Sequence, residues 1–80
     1  AIAIANDSRF GLGATIFSRD IEKAERFALK LNTGSVFINE MVRSDPRFPV
    51  GGINASGYGR ELGESGLKEF TNIKTIITSA

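Results

Sequence analysis

Cysteine and histidine are both absent from the 80 residues. A chain without them has no thiolate or imidazole nucleophile, forms no disulfide and builds no Cys/His metal centre. Small secreted domains usually rely on disulfide staples, so the expected location is cytoplasmic. Long apolar runs are missing too. The longest, Ala1 to Ala5, falls far short of the roughly 20 residues of a membrane span, and no basic region precedes it as in a secretory leader. No membrane partner is expected. Charge of one sign is not in excess either: ten Lys and Arg against nine Asp and Glu leave a net of +1. The basic residues alternate with acids except around Arg43, Arg47 and Arg60, which is not the concentrated basic face of a nucleic-acid-binding domain. No nucleic-acid partner is expected. Asn-x-Ser triplets at Asn6 and Asn54 match a glycosylation acceptor, a pattern common by chance and without secretory context here.

A chain this short hides only about 60–65% of its unfolded surface, so a sizeable independent core is not expected. What is there reads as α/β. Ala1 to Asn6 is an apolar run with no capping residue ahead of it, which suits the last turns of a helix. After a turn-forming stretch over 7–13, residues 14–18 (ATIFS) read as a strand. Ile21, Ala24, Phe27, Ala28 and Leu31 then recur at helical spacing, which predicts a helix over 20–31 with Ser18 or Asp20 as N-cap and a Glu22–Arg26 pair. Gly34 suits a left-handed C-terminal position, and residues 35–39 (SVFIN) read as a strand buried on both faces. Strand, helix, strand at this spacing predicts a right-handed βαβ unit with parallel strands.

Beyond Asn39 the periodicity stops. Residues 40–62 hold both prolines and read as one long glycine-rich loop, a kind that is usually functional or held by neighbouring structure. A short helix is expected over 63–70, with Leu67 and Phe70 as its apolar side. A β-prone terminal strand is expected over 71–78. Its two faces both carry apolar groups (Ile73, Thr75 and Ile77 on one, Ile76 on the other), the pattern of an edge seeking a partner.

Residues 51–63, GGINASGYGRELG, concentrate five of the nine glycines. They do not make a dinucleotide fingerprint: in the GYGREL segment Leu62 stands where a third glycine is needed for close helix packing, and residues 49–56 are a poor preceding strand. No Gly-Lys-Ser/Thr follows, so a Walker-type phosphate loop is excluded as well. The reading that remains is a bent connector, in which Gly51, Gly52, Gly57 and Gly59 let the chain turn across packed surfaces. Arg60 and Glu61 are either a solvated helix-start pair or a clamp in which the forked guanidinium holds the loop.

In order, residues 34–39 (GSVFIN), 49–61 (PVGGINASGYGRE) and 66–75 (GLKEFTNIKT) closely resemble the C-terminal end of the NAD(P)-dependent aldehyde dehydrogenase family. The likeness extends over all 80 residues, and residues 39–49 (NEMVRSDPRFP) are most similar to the succinate-semialdehyde dehydrogenase group. The resemblance implies a reaction in which a cysteine thiolate attacks an aldehyde, hydride passes to the nicotinamide, and a glutamate-activated water hydrolyses the thioester. It also implies that the catalytic residues and cofactor domain lie upstream, so these 80 residues bind no cofactor. NAD or NADP would belong to the parent enzyme, and the chain by itself would be inactive.

The resemblance further implies a division into residues 1–70, the end of the catalytic domain, and 71–80, a terminal strand of the oligomerisation domain. Ile73, Thr75, Ile76 and Ile77 would then contact another subunit or the rest of the parent chain. Ser44 falls where the succinate-semialdehyde group places a serine near the substrate's distal carboxylate; a plain turn at Ser44-Asp45-Pro46 is the competing reading. Val50 stands where the family usually has a phenylalanine lining the substrate tunnel, and Asn54 where it usually has lysine. The alternative to an enzyme segment is a non-enzymatic module that self-associates through its C-terminal strand.

Overall fold

Seven short elements follow one another in the computed structural model, which describes residues 1–79: α1 (Ile2–Asn6), β1 (Phe10–Gly11), β2 (Gly13–Ile16), α2 (Ile21–Ala28), β3 (Ser35–Ile38), β4 (Ile53–Asn54) and α3 (Gly63–Glu69). β2 and β3 pair in parallel, with Gly13 opposite Ser35 and Ile16 opposite Ile38, and α2 connects them. Asn39 prolongs this ladder with its side chain. Its amide Nδ2 donates to Ser18 O at 2.8 Å while its Oδ1 accepts from Ser18 N at 2.9 Å. A second, antiparallel pair sets β1 against β4.

Asp20 caps α2, accepting a hydrogen bond from Lys23 N at 3.0 Å. The helix ends three residues before the expected Leu31. Lys30 N and Leu31 N bond to Phe27 O and Ala28 O, the tighter spacing with which helices commonly finish. Asn6 then takes over the exposed end: its side chain donates to Lys30 O and accepts from Asn32 N, both at 2.8 Å. Among the described residues no ion pair joins Glu22 to Arg26, so the expected pair is not made.

Gly34 also departs from expectation. Its backbone is not left-handed; instead, the segment carrying Gly51 and Gly52 crosses directly over it, and any Cβ on Gly34 would overlap the Gly51 carbonyl oxygen. Gly34 N donates to Gly11 O at 3.0 Å on the other side. The residue is glycine because two backbones meet there.

The terminal strand is the larger correction. Residues 71–79 form no strand and all are exposed, with Ile73 at 95%. A strand exists only through a hydrogen-bonded neighbour, and among the described residues this segment is paired with none. Ala80, the last residue of the expected second unit, lies outside the described residues. Leu67 and Phe70 of the α3 side are likewise uncovered.

The consequence is an extended shape, 60 × 25 × 22 Å, with a radius of gyration of 16.6 Å. A compact chain of this length would have about 12 Å. The accessible surface of 6703 Å² likewise exceeds the roughly 4,700 Å² expected of a folded monomer of this mass. Ala24 is the only buried apolar side chain among the described residues.

Candidate functional site

The stretch expected to be one long loop has internal structure. Val50 and Glu61 exchange both backbone hydrogen bonds, each at 2.7 Å, closing residues 50–61 into a lobe. Inside it, β4 docks on β1, Ala55 N donates to Arg9 O at 2.8 Å, and Ser56 Oγ accepts from Gly11 N at 2.9 Å. Asn54 turns the chain with φ of 55°, a conformation that asparagine tolerates better than most residues.

Arg60 folds back into this lobe. Its Nη1 donates to Gly52 O at 2.9 Å and to Gly59 O at 2.7 Å, so the charge sits on carbonyl oxygens. Leu62 follows at φ 61° and ψ 166°, a region normally occupied by glycine, and is held there by the Val50–Glu61 bridge on one side and a Gly63 N to Pro46 O bond of 3.1 Å on the other. Replacing Arg60 with alanine leaves two carbonyls without their charged donor. Hydrogen bonds to charged groups contribute about 1.5–3 kcal/mol. Arg60→Ala is therefore expected to make the 50–61 lobe the first point of cleavage in limited proteolysis of the full-length protein. An unchanged cleavage pattern would count against the clamp.

Ser44, Val50, Gly51, Gly52, Arg60 and Glu61 border one open hollow of about 560 Å³, with the exposed Tyr58 and Phe70 at its rim. Val50 is half-buried. Ser44 is exposed, and its hydroxyl makes no hydrogen bond among the described residues. Ile73, Thr75, Ile76 and Ile77 lie outside the hollow, on the exposed segment after α3.

A feature that the sequence reading missed stands beside Ser44. Asp45 is only 14% exposed and takes three hydrogen bonds from Arg47: the backbone N and Nε at 3.0 Å to Oδ1, and Nη2 at 2.7 Å to Oδ2. Arg43 approaches the same carboxylate at 3.5 Å. The guanidinium and the N–H of Arg47 hold the Asp45 carboxyl well below the usual carboxylate range. Because the folded value is depressed, this contribution is present above the ordinary pKa near 4 and fades only as pH falls through the lower folded value. The signal was available: an Asp-Pro pair opening a turn, with the Asp side chain reaching the backbone two residues on.

The glycine stretch does not fit a cofactor phosphate. Anion binding at a helix start needs free backbone N–H groups, yet Gly63 N is already bonded to Pro46 O, and residues 47–49 pack against Gly63. Among the described residues no group of three or more His, Cys, Asp or Glu could hold a metal ion.

A parallel strand pair with its faces half covered, an open hollow and an uncovered apolar tail define a class: an α/β segment completed by further structure. The aldehyde dehydrogenase family profile matches residues 1–76. The chain belongs to the aldehyde dehydrogenase family. A probable NADP⁺-dependent succinate-semialdehyde dehydrogenase of Synechocystis is 51% identical over 76 residues, covering 95% of this chain and 17% of that protein. The crystal structure of succinic semialdehyde dehydrogenase from Streptococcus pyogenes in complex with NADP⁺ superposes with a TM-score of 0.92 at 49% identity, over 99% of this chain and 17% of that one. An apo betaine aldehyde dehydrogenase from Staphylococcus aureus shares 49% identity with a TM-score of 0.83, over 86% of this chain and 14% of its own. The chain thus spans about one sixth of the length of the curated relatives it matches.

Proposed function

We propose that these residues form the C-terminal segment of an NAD(P)-dependent aldehyde dehydrogenase that oxidises an aldehyde, succinate semialdehyde in the first instance, to the carboxylic acid. The segment is not catalytic by itself. Its βαβ unit and glycine-rich lobe complete the catalytic domain over 1–70, and the exposed segment after α3, which has no bonded neighbour by itself, would become a strand only on pairing within the oligomerisation domain. NAD or NADP is held by the remainder of the parent chain; when bound, it accepts the hydride. No helix among the described residues is long and apolar enough to cross a membrane.

The observation that supports this reading best is the convergence of Ser44 and Val50 on one hollow. Residues six positions apart, each implied to face the substrate, border the same space although no regular element connects them. A free hydroxyl at the rim suits an anionic oxygen, since serine can donate to a carboxylate without bringing a charge of its own. Valine there occupies less of the hollow than phenylalanine would. The self-associating module is the weaker reading, because the half-covered sheet leaves uncovered apolar surface well beyond the C-terminal strand.

The test is Ser44→Ala in the full-length enzyme, assayed with succinate semialdehyde and with butanal, which lacks the distal carboxylate. Losing one hydrogen bond to a charged group corresponds to about tenfold or more. The ratio of kcat/KM for succinate semialdehyde to that for butanal is expected to fall by about that factor. An unchanged ratio would overturn the assignment of Ser44.

A further inference from the structure

We infer that Asp45 is a positioning residue for substrate selection: through Arg47 and Arg43 it holds the turn that aims Ser44 into the hollow. The inference rests on the reading of Ser44 above. Residues 45–48 form a turn closed by Phe48 N to Asp45 O at 3.1 Å. The Asp45 side chain reinforces it from outside, binding both the backbone and the guanidinium of Arg47, whose charge also lies over the Phe48 ring, 5.2 Å from its centroid. From beneath, Pro46 O accepts from Gly63 N, and the backbone of residues 47–49 packs so closely on Gly63 that a side chain there would be crowded. The turn is therefore fixed on two sides.

Ser44 itself has no hydrogen bond among the described residues to orient it, so its direction is inherited from its neighbours. Arg43 and Asp45 meet at 3.5 Å, and Arg43 also reaches Glu40 at 3.3 Å. Arg43 and Asp45 are thus joined to each other across the residue between them. Ser44 borders the hollow whereas Arg43 and Asp45 do not. Both guanidiniums lie on carboxylates of this loop, Arg43 on Glu40 and Asp45 and Arg47 on Asp45.

The test uses the full-length enzyme with succinate semialdehyde and butanal. Asp45→Asn, which keeps an acceptor for the Arg47 N–H but loses the charge, is expected to lower the succinate semialdehyde to butanal ratio of kcat/KM about three- to tenfold. Arg47→Ala, a change at a side chain 74% exposed, should lower the ratio in the same direction without a folding defect. The decisive arm is the double variant: Ser44→Ala/Asp45→Asn should be no worse in this ratio than Ser44→Ala alone, since both act through one hydroxyl. Additive losses would overturn the proposal, as would equal losses for both aldehydes, which mark a merely structural role. A rise in the ratio with Asp45→Asn would overturn it too, by making the released arginines the carboxylate receptor. Failure of Ser44→Ala alone to change the ratio would instead remove the reading on which the proposal rests.

Discussion

Purified 80-residue chain, incubated with succinate semialdehyde and NADP⁺, is expected to form no NADPH above the rate of a blank. The chemistry inferred for the parent enzyme begins with a thiolate adding to the aldehyde carbon, and this chain has no cysteine. Enzymes accelerate their reactions by about 10⁶-fold or more, and without the nucleophile the expected loss is of that order. The structure adds a second reason. The hollow beside Ser44 is open, and the first N–H of the helix after the glycine stretch, that of Gly63, is already taken by Pro46 O. Absorbance at the wavelength of the reduced nicotinamide is sufficient readout. Turnover that copurifies with the 80-residue chain through two separation steps would overturn the placement of the chemistry outside it.

Gly34→Ala in the full-length enzyme is expected to lower stability by about 3 kcal/mol or more, beyond the usual cost of overpacking. The added methyl would overlap the carbonyl of Gly51, and the space opposite is no freer, because Gly34 N is bonded to Gly11 O. Relief requires moving backbone, not rotating a side chain. Gly57→Ala is the comparison: its Cβ would meet nothing within 4 Å, and only its φ of +108° opposes it, at a smaller cost of about 1–2 kcal/mol. A denaturation midpoint for Gly34→Ala equal to that of Gly57→Ala would show that the crossing yields easily, against this reading of the lobe.

The contrast between these glycines illustrates which features were legible in advance. Local signals carried the helix start at Asp20, whose side chain needs only the N–H of Lys23, three residues on. They also carried the two β-prone runs that became β2 and β3. Arg60 was left between two readings, because whether a guanidinium meets water or carbonyls depends on where the chain returns. Gly34 was misread for the same reason: its constraint comes from Gly51, seventeen residues away. A turn at Ser44-Asp45-Pro46 was among the readings, being local; what it did not include was the grip of Arg47 on the Asp45 carboxylate. The terminal strand was expected from β-prone composition, alternation and the family resemblance, and none of these supplies the neighbouring edge that a strand requires.

By itself, then, the order of residues determined that no thiol or imidazole chemistry resides here, that a helix joins two β-prone runs, and that the chain belongs among the aldehyde dehydrogenases. The first two follow from side-chain identity and from periods of two and 3.6 residues, which act over a few positions, and the third from the resemblance carried by residues 34–39, 49–61 and 66–75. Only the tertiary structure decided that Ser44 and Val50 share a hollow, that Arg60 grips the Gly52 carbonyl, and that backbones cross at Gly34. Each depends on the path of a loop without a period, and that path is set by contacts between residues distant in sequence.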